Sequence, residues 1–347
     1  NSTTYIKDYR LQTVRDLVVL GKPLIVTIRK RRYVCKHCNA TFTEENPYIK
    51  RYCHFPNRLY IESLTESFRL QSFTSVAKRL GVSVTSIIRW FDKLNCPHPK
   101  LPECIAIDEF RGNAGGEKFQ CNVADPVKHQ VIDILPSRNT EDLCKHFLEY
   151  PYKERAEVKK IVMDLSTLFR SVAKTMFPEA KIVADKFHVI RVVINSLENV
   201  RKRIQKEFHA TKRKRFKRSR YLVLKPEYKL TDEDKTELAR MLNSSYDLEK
   251  AYVLKERFYE VFRKQTRTEA KKELGNWLLL AADLSLPEFR HCITTFSNWK
   301  TEIANIIGER VSNGFIEGSN NKIKVLKRIS YGVRNFDRFR NRILYLE

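Results

Sequence analysis

Two stretches decide the fold: Cys104-Ile105-Ala106-Ile107-Asp108-Glu109-Phe110 and Lys160-Ile161-Val162-Met163-Asp164. Each is a short apolar run closed by an aspartate. Runs of this length, rich in β-branched residues, read as buried strands rather than helices. Around them the pattern alternates. Strands are expected at 105–110, 119–125 and 130–135, a helix at 140–150 opened by Thr140, and a strand at 160–164. A helix at 166–177 and a strand at 180–185 complete the order. Three strands in a meander, then helix, strand, helix, strand, predict an α/β ribonuclease H-like core. In that core the first and fourth strands are neighbours, so Asp108 and Asp164 converge at their ends.

A third acidic residue, Glu317, sits in a polar stretch, 311–328, that reads as a helix. Asn313, Glu317, Asn321, Lys324 and Arg328 fall near one face of it. Two strand-end carboxylates and a helical one are the donor set for a pair of divalent cations. Two such ions about 4 Å apart activate the attacking oxygen of a phosphodiester displacement and stabilise the leaving one. Asp185 also ends an apolar strand and rivals Asp164, but the strand order favours Asp164. His188 reads as a packing or hydrogen-bonding residue with a phosphate-positioning role as the rival. Glu109 is expected on the opposite strand face, and Asp125 and Asp133 in turns or at the surface.

Charge names the substrate class. The 347-residue chain carries 66 Lys and Arg against 41 Asp and Glu, a formal charge of +25. Such a balance points to a polyanion, with salt-dependent binding through phosphates. No apolar run approaches the ~20 residues of a membrane span, and no signal-peptide pattern opens the chain. The eight cysteines are mostly solitary, as in a reduced, cytoplasmic protein.

Residues 1–54 read as strands and turns, with strands at 14–20 and 24–29 about the Gly21-Lys22-Pro23 turn. The segment is expected to bind DNA, with Lys30, Arg31 and Arg32 as candidate contacts, and it closes on Lys30-Arg31-Arg32-Tyr33-Val34-Cys35-Lys36-His37-Cys38. A Cys-x-x-Cys knuckle after a basic strand suits half of a zinc ribbon. Cys53 and His54 are candidates to complete it; two metal-free surface thiols are the plainer alternative. Residues 55–99 read as a helix-turn-helix. Val76, Leu80, Val82, Ile87 and Trp90 form its core, and Gly81 makes its turn. Ser83, Thr85, Ser86 and Arg89 start or face the recognition helix. A linker follows at 95–99.

Residues 100–190 then form the first part of the core. Residues 191–300 read as a helical, basic insertion, and 301–347 as the part of the core carrying Glu317. Within the insertion, Lys212, Arg213, Lys214 and Arg215 belong to a basic block that either tracks phosphates or is a solvated face. Phe296 and Trp299 read as core.

The knuckle, the helix-turn-helix and Ile107-Asp108-Glu109-Phe110 resemble the DDE-type transposases of insertion sequences, specifically the ISL-three family. Val162-Met163-Asp164, Val183-Ala184-Asp185-Lys186-Phe187-His188-Val189 and the stretch from Gly314 to Lys324 extend the likeness over nearly the whole chain. The resemblance implies that Asp108, Asp164 and Glu317 hold Mg²⁺ or Mn²⁺. It implies that Lys324 lies near the DNA end. It also implies that the partners are double-stranded DNA, terminal inverted repeats and target DNA, engaged by a homodimer in the bacterial cytoplasm, with no membrane. Zn²⁺ is a candidate second metal, and members generally carry another Cys-x-x-Cys ahead of this one. Three other readings stay open: a DNA-binding regulator that keeps the fold without catalysis, a nuclease that cuts and never joins, and an RNA-processing ribonuclease H-like enzyme, which cleavage of a hybrid duplex would favour.

Overall fold

A computed structural model describes residues 4–50, 52–96, 98–309 and 311–346. Pro97, within the linker expected at 95–99, lies outside them. The chain divides into two compact units. One comprises residues 1–98, 111–120 and 320–347; the other comprises 99–110 and 121–319. No helix among the described residues is long and apolar enough to cross a membrane.

The first unit opens with a long antiparallel hairpin, β1 (Ile6–Val19) and β2 (Lys22–Val34), paired from Ile6 opposite Tyr33 to Val19 opposite Lys22 with register shifts between Ile6 and Asp8 and between Arg15 and Val18. These strands run well beyond the expected ones. Their turn is Leu20-Gly21, both at positive φ (51° and 75°), the twist that tight hairpins need. The short β3 (Thr41–Thr43) pairs with the end of β2.

Three helices follow: α1 (Asn57–Ser67), α2 (Phe73–Leu80) and α3 (Val84–Phe91). Ser72 and Ser83 cap α2 and α3, and Gly81 ends α2 in the left-handed region at φ 64°. Leu59, Val76, Ala77, Leu80 and Ile87 form the core, with Val82 and Trp90 packed against it. This is the helix-turn-helix the sequence predicts.

The second unit is built on a five-stranded sheet. Its strands are β4 (Cys104–Phe110), β5 (Gln120–Asp125), β6 (Gln130–Leu135), β7 (Lys160–Met163) and β8 (Lys181–Ala184), ordered β6-β5-β4-β7-β8. β5 and β6 are antiparallel; β4, β7 and β8 run parallel. Between them lie α4 (Thr140–Leu148), α5 (Tyr152–Ala156) and α6 (Thr167–Met176). The short α5 was not expected.

From β8 the chain passes directly into α7 (Lys186–Lys206). Then come α8 (Ala210–Arg218), α9 (Arg220–Leu224), α10 (Asp232–Leu242), α11 (Tyr246–Val261), α12 (Arg267–Asp283), α13 (Arg290–Asn298) and α14 (Lys300–Ala304). These helices share one continuous apolar cluster with the sheet, from Leu101 through Phe147, Leu197 and Trp277 to Ile307. Phe296 and Trp299 are buried within it, as expected. Asp125, expected in a turn or at the surface, is the buried last residue of β5, and its carboxylate accepts the N–H groups of Val127 and Lys128 in the turn that follows. Asp133 corrects the expectation. It is buried in β6, where its carboxylate accepts the Ile134 N–H at 2.7 Å and faces His146.

α15 (Gly314–Ile329) and α16 (Phe336–Leu344) end the chain. α16 packs with the helix-turn-helix. Arg338 makes a bidentate pair with Asp92 (2.7 and 2.6 Å), and the buried Arg342 donates to the carbonyls of Arg69 and Gln71. Burial drops the Arg342 guanidinium to about 10. Five N–H donors in a fixed fork make such carbonyl clamping an arginine task.

Candidate active site and nucleic-acid interface

Strand alternation sets the site. Successive side chains of a strand point to opposite faces. Ile105, Ile107, Ile161, Met163 and Ala184 join the large cluster on one face. Cys104, Ala106, Val162 and Val183 meet Ile316 of α15 on the other. Asp108, within β4, comes two residues after Ala106 and so takes the α15 side, while Asp164 and Asp185 directly follow the ends of β7 and β8. Glu109 takes the other side and pairs with Arg138 at 2.7 Å.

These groups act on one another electrostatically. Burial pushes Asp108 up to about 6, with the nearby Asp164 charge adding to the rise and His188 opposing it. Asp164 is raised too, by burial first, with Glu109 and Asp185 adding and His188 again opposing. Each carboxylate accepts one backbone N–H, Asp108 from Glu109 (2.9 Å) and Asp164 from Ser166 (3.1 Å). Neither bond offsets the burial. Asp185 caps α7 by accepting the His188 N–H, and it also takes the His188 Nδ1 at 2.6 Å. That bond holds the imidazole pKa above its ordinary value, with Asp164 and Asp108 adding to the rise. The sequence signal for this pair was the Asp-x-x-His spacing at a strand-to-helix junction, which a capping aspartate uses naturally.

Partly buried carboxylates of one sign suit a hard divalent cation, which takes oxygen ligands and lowers the cost of their charge. Glu317 stands differently. It is exposed on the first turn of α15, and its N–H donates to the Asn313 carbonyl. The buried Ile316 anchors that turn to the sheet, and the Ser319 hydroxyl accepts from Asn122 Nδ2 at 3.2 Å. Among the described residues, the carboxylates of Asp108, Asp164 and Glu317 do not all lie within 4.8 Å of one another. Asn321, Lys324 and Arg328 are exposed, and Lys324 Nζ meets Asn321 Oδ1 at 3.3 Å. Asn313 leaves the expected polar face: it is 4% exposed, and neither polar side-chain atom has a partner.

On α3, Ser83, Thr85 and Arg89 are exposed and Ser86 is half-buried against the Ser83 hydroxyl at 2.8 Å. The basic strand is sorted by its alternation. Arg31 is exposed, Lys30 is buried and Arg32 is half-buried and pairs with Asp8 at 2.9 Å. Lys30 therefore does not present its charge as the sequence suggested. In α8, Lys212, Arg213 and Lys214 are exposed, whereas Arg215 is held bidentately by Glu237 (2.9 and 2.7 Å).

At the knuckle, the Asn39 N–H donates to the Cys35 carbonyl at 2.8 Å, and Asn39 sits at φ 54°. N–H groups of Cys38 and His37 directed at the Cys35 sulfur lower its pKa. That turn favours a thiolate, the form that binds metal. No His, Cys, Asp or Glu among the described residues joins both thiols within 4.8 Å. Cys53 and His54 are not brought there. Their carbonyls accept from Gln12 Nε2 and the Arg15 N–H, in the middle of β1. The knuckle follows the far end of β2, where Tyr33 pairs with Ile6, about six residues or ~20 Å along the ribbon.

Comparison with known proteins places the chain among transposases. A family model described as a transposase with a DDE domain matches residues 105–343. A helix-turn-helix domain of transposase family ISL3 matches 44–95. A zinc finger of the IS204/IS1001/IS1096/IS1165 transposases matches 1–38. The chain is 24% identical over 343 residues to the transposase for insertion sequence element IS1001 of Bordetella parapertussis, covering 96% of this chain and 84% of that one. It is 24% identical over 254 residues to the transposase for IS1557 of Mycobacterium tuberculosis, 67% of this chain and 57% of that one. A 94-residue stretch is 36% identical to a Lactococcus lactis protein named as an ATP-dependent protease, covering 27% and 26% of the two chains. That match is too short to carry a reading of the whole.

Proposed function

The chain belongs to the ISL3 family of transposases, and on that premise we propose that it cuts DNA at the ends of an insertion sequence and joins the freed 3′-OH to a target. The carrying observation is the group of half-buried or buried aspartates at adjacent strand ends, with Asp108 raised to about 6. Such a cluster destabilises the fold unless cationic charge meets it, and a phosphodiester enzyme needs that charge in this place.

We read the five-stranded sheet as a ribonuclease H-like core, supported by its strand order. Asp108 and Asp164 would hold Mg²⁺ or Mn²⁺ from the strand ends, with Glu317 of α15 completing the donor set. When bound, a pair of such ions activates the attacking oxygen and stabilises the leaving oxygen. The other work falls to the chain. Asp185 fixes the orientation of the His188 ring, leaving its Nε2 available as a donor beside the carboxylates. Lys324 and Arg328 on α15 would hold the DNA end. Ser83, Thr85 and Arg89 of α3 would read the terminal inverted repeat in the major groove. Cys35 and Cys38 would supply two thiolates to a Zn²⁺ site. Joining two ends calls for two such chains on DNA.

The test is cleavage of a labelled duplex carrying the element's end, with Mg²⁺, with a chelator and with Asp164→Asn. Metal-dependent nicking at the repeat boundary, absent in the variant, supports the reading. Normal cutting by Asp164→Asn would sink the assignment. Specific binding without cutting under any divalent metal would favour a regulator that keeps the fold. Nicking without joined products would leave a nuclease.

A further inference from the structure

The β1–β2 hairpin carries a sheet face that nothing in the described structure covers. Tyr9, Leu11 and Thr13 of β1 stand opposite Arg31, Arg29 and Thr27 of β2, and all six are exposed. Alternation sends Gln12, Val14 and Lys30 to the opposite, packed face. We propose that this exposed face is a second DNA-reading surface, a two-stranded ribbon that enters a major groove beside the recognition helix α3. The inference rests on the DNA-binding reading above and extends it to a surface outside the helix-turn-helix.

Its chemistry fits nucleic acid. Arg29 and Arg31 lie on the face, and the acid at its edge, Glu44, meets Arg31 at 4.0 Å, which leaves the face net positive. Arg29 lies over the Tyr9 ring at 3.9 Å, which holds its guanidinium in place. The Thr13 and Thr27 hydroxyls approach to 3.4 Å across the strands, two hydrogen-bonding groups aimed outward. Leu11 and Ile25 are 73% and 59% exposed. Apolar side chains between donors suit the thymine methyl that marks the major groove. From Tyr9 to Arg15 the face runs about 20 Å, and a groove about 12 Å wide admits a two-stranded ribbon. A second copy of this chain is a poorer occupant, because a two-fold contact would set these arginines against themselves.

Position points the same way. Arg15, next along the face, donates from Nη1 to the Gly81 carbonyl, in the turn that leads into α3. A side chain at Gly81 would meet Pro23 Cβ at 3.6 Å. The ribbon is thus seated on the turn before the recognition helix. DNA held by α3 meets the ribbon next.

The experiment uses the full chain and duplexes that it enriches from a randomised pool. Arg29→Ala/Arg31→Ala should lower the slope of log affinity against log salt by about 1.8, two contacts at about 0.9 each. Thr13→Val/Thr27→Val should leave that slope unchanged. It should cost roughly tenfold in affinity and relax the selected sequence at a few base pairs. On the unaltered protein, guanine-N7 methylation should interfere with binding both where α3 reads and at flanking base pairs. Variants that select the same sequence with the same slope, or interference confined to one short block, would overturn the ribbon. Loss of self-association with DNA binding unchanged would assign the face to a second copy and overturn it as well. If the unaltered chain enriched no duplex, the DNA-binding reading itself would fall, and the ribbon with it.

Discussion

The ends of β4 and β7 and the first turn of α15 all carry acids, and the fold treats them differently. Asp108 and Asp164 each directly follow the last parallel pair, Ile107 with Met163, and each has a backbone N–H on its carboxylate. Glu317 sits exposed on a helix anchored to the sheet by Ile316 and the Asn122–Ser319 hydrogen bond. Strands deliver two like charges into a partly dry place at a cost in stability. The helix delivers the third acid to solvent at almost none. On the proposed reading, the strand-end pair carries the strain and the third position is set by what binds.

The largest expected effect tests whether the two regions act as one site. Asp108→Asn, Asp164→Asn and Glu317→Gln should each lower cleavage of an end duplex by roughly 10³-fold or more, with gel-shift affinity for that duplex little changed. Normal cutting by Glu317→Gln alone would separate the helix from the site. Ile316→Ala comes next. It removes a fully buried side chain and should cost ~2–5 kcal/mol in urea unfolding. If α15 places Glu317, cleavage should fall in this variant by more than binding does, measured well below its unfolding midpoint.

Acidity distinguishes the regions without any substrate. Asp108 ionises near pH 6 in the fold, against 3.8 ordinarily. Between those values the unfolded chain gives up the proton first. Stability is therefore full below about pH 4, falls as pH rises to about 6, and stays lower. A gap of about two between the pKa values is worth roughly 3 kcal/mol. Metal-free protein should thus be harder to unfold at pH 4 than at pH 7 as far as this group is concerned, and Asp108→Asn should flatten that slope. Glu317→Gln, being exposed, should change stability by less than ~0.5 kcal/mol at either pH. Equal slopes in the parent and Asp108→Asn would show that Asp108 is not strained.

Smaller again is the His188 pair. Asp185 raises the His188 pKa, so the stability it lends is present below the ordinary imidazole value and is lost as pH rises through the raised one. Asp185→Asn should return the ring to its ordinary range, read from its NMR titration. The smallest effect concerns α8. Arg213→Ala/Lys214→Ala should lower the salt slope of DNA binding by up to about 1.8, and Arg215→Ala by less, because Glu237 already holds it.

The core was legible because its signals are local. Apolar runs ending in Asp108 and Asp164 mark strands almost to the residue, and Gly81 marks the helix-turn-helix turn. Long-range consequences were not legible. The basic run 30–32 looks uniform in sequence, yet pairing with β1 turns Lys30 inward and Arg31 outward. Asp133 reads as polar and therefore superficial, and is buried because β6 packs on both faces. Cys53 and His54 lie near the knuckle in sequence, yet dock at the middle of β1.

By itself, then, the sequence determined the order of elements, the two strand-end aspartates, the capped helices and the charge that calls for a polyanion. Each follows from residue type and spacing over fewer than about twenty positions. Only the tertiary structure decided that the α7–α14 helices share the sheet's core, and that α16 clamps the helix-turn-helix through Arg338 and Arg342. It alone decided that Ile316 seats α15 on the strands that carry the aspartates. Those outcomes depend on which surfaces meet across a hundred residues or more, and that information lies in shape and burial rather than in any local pattern.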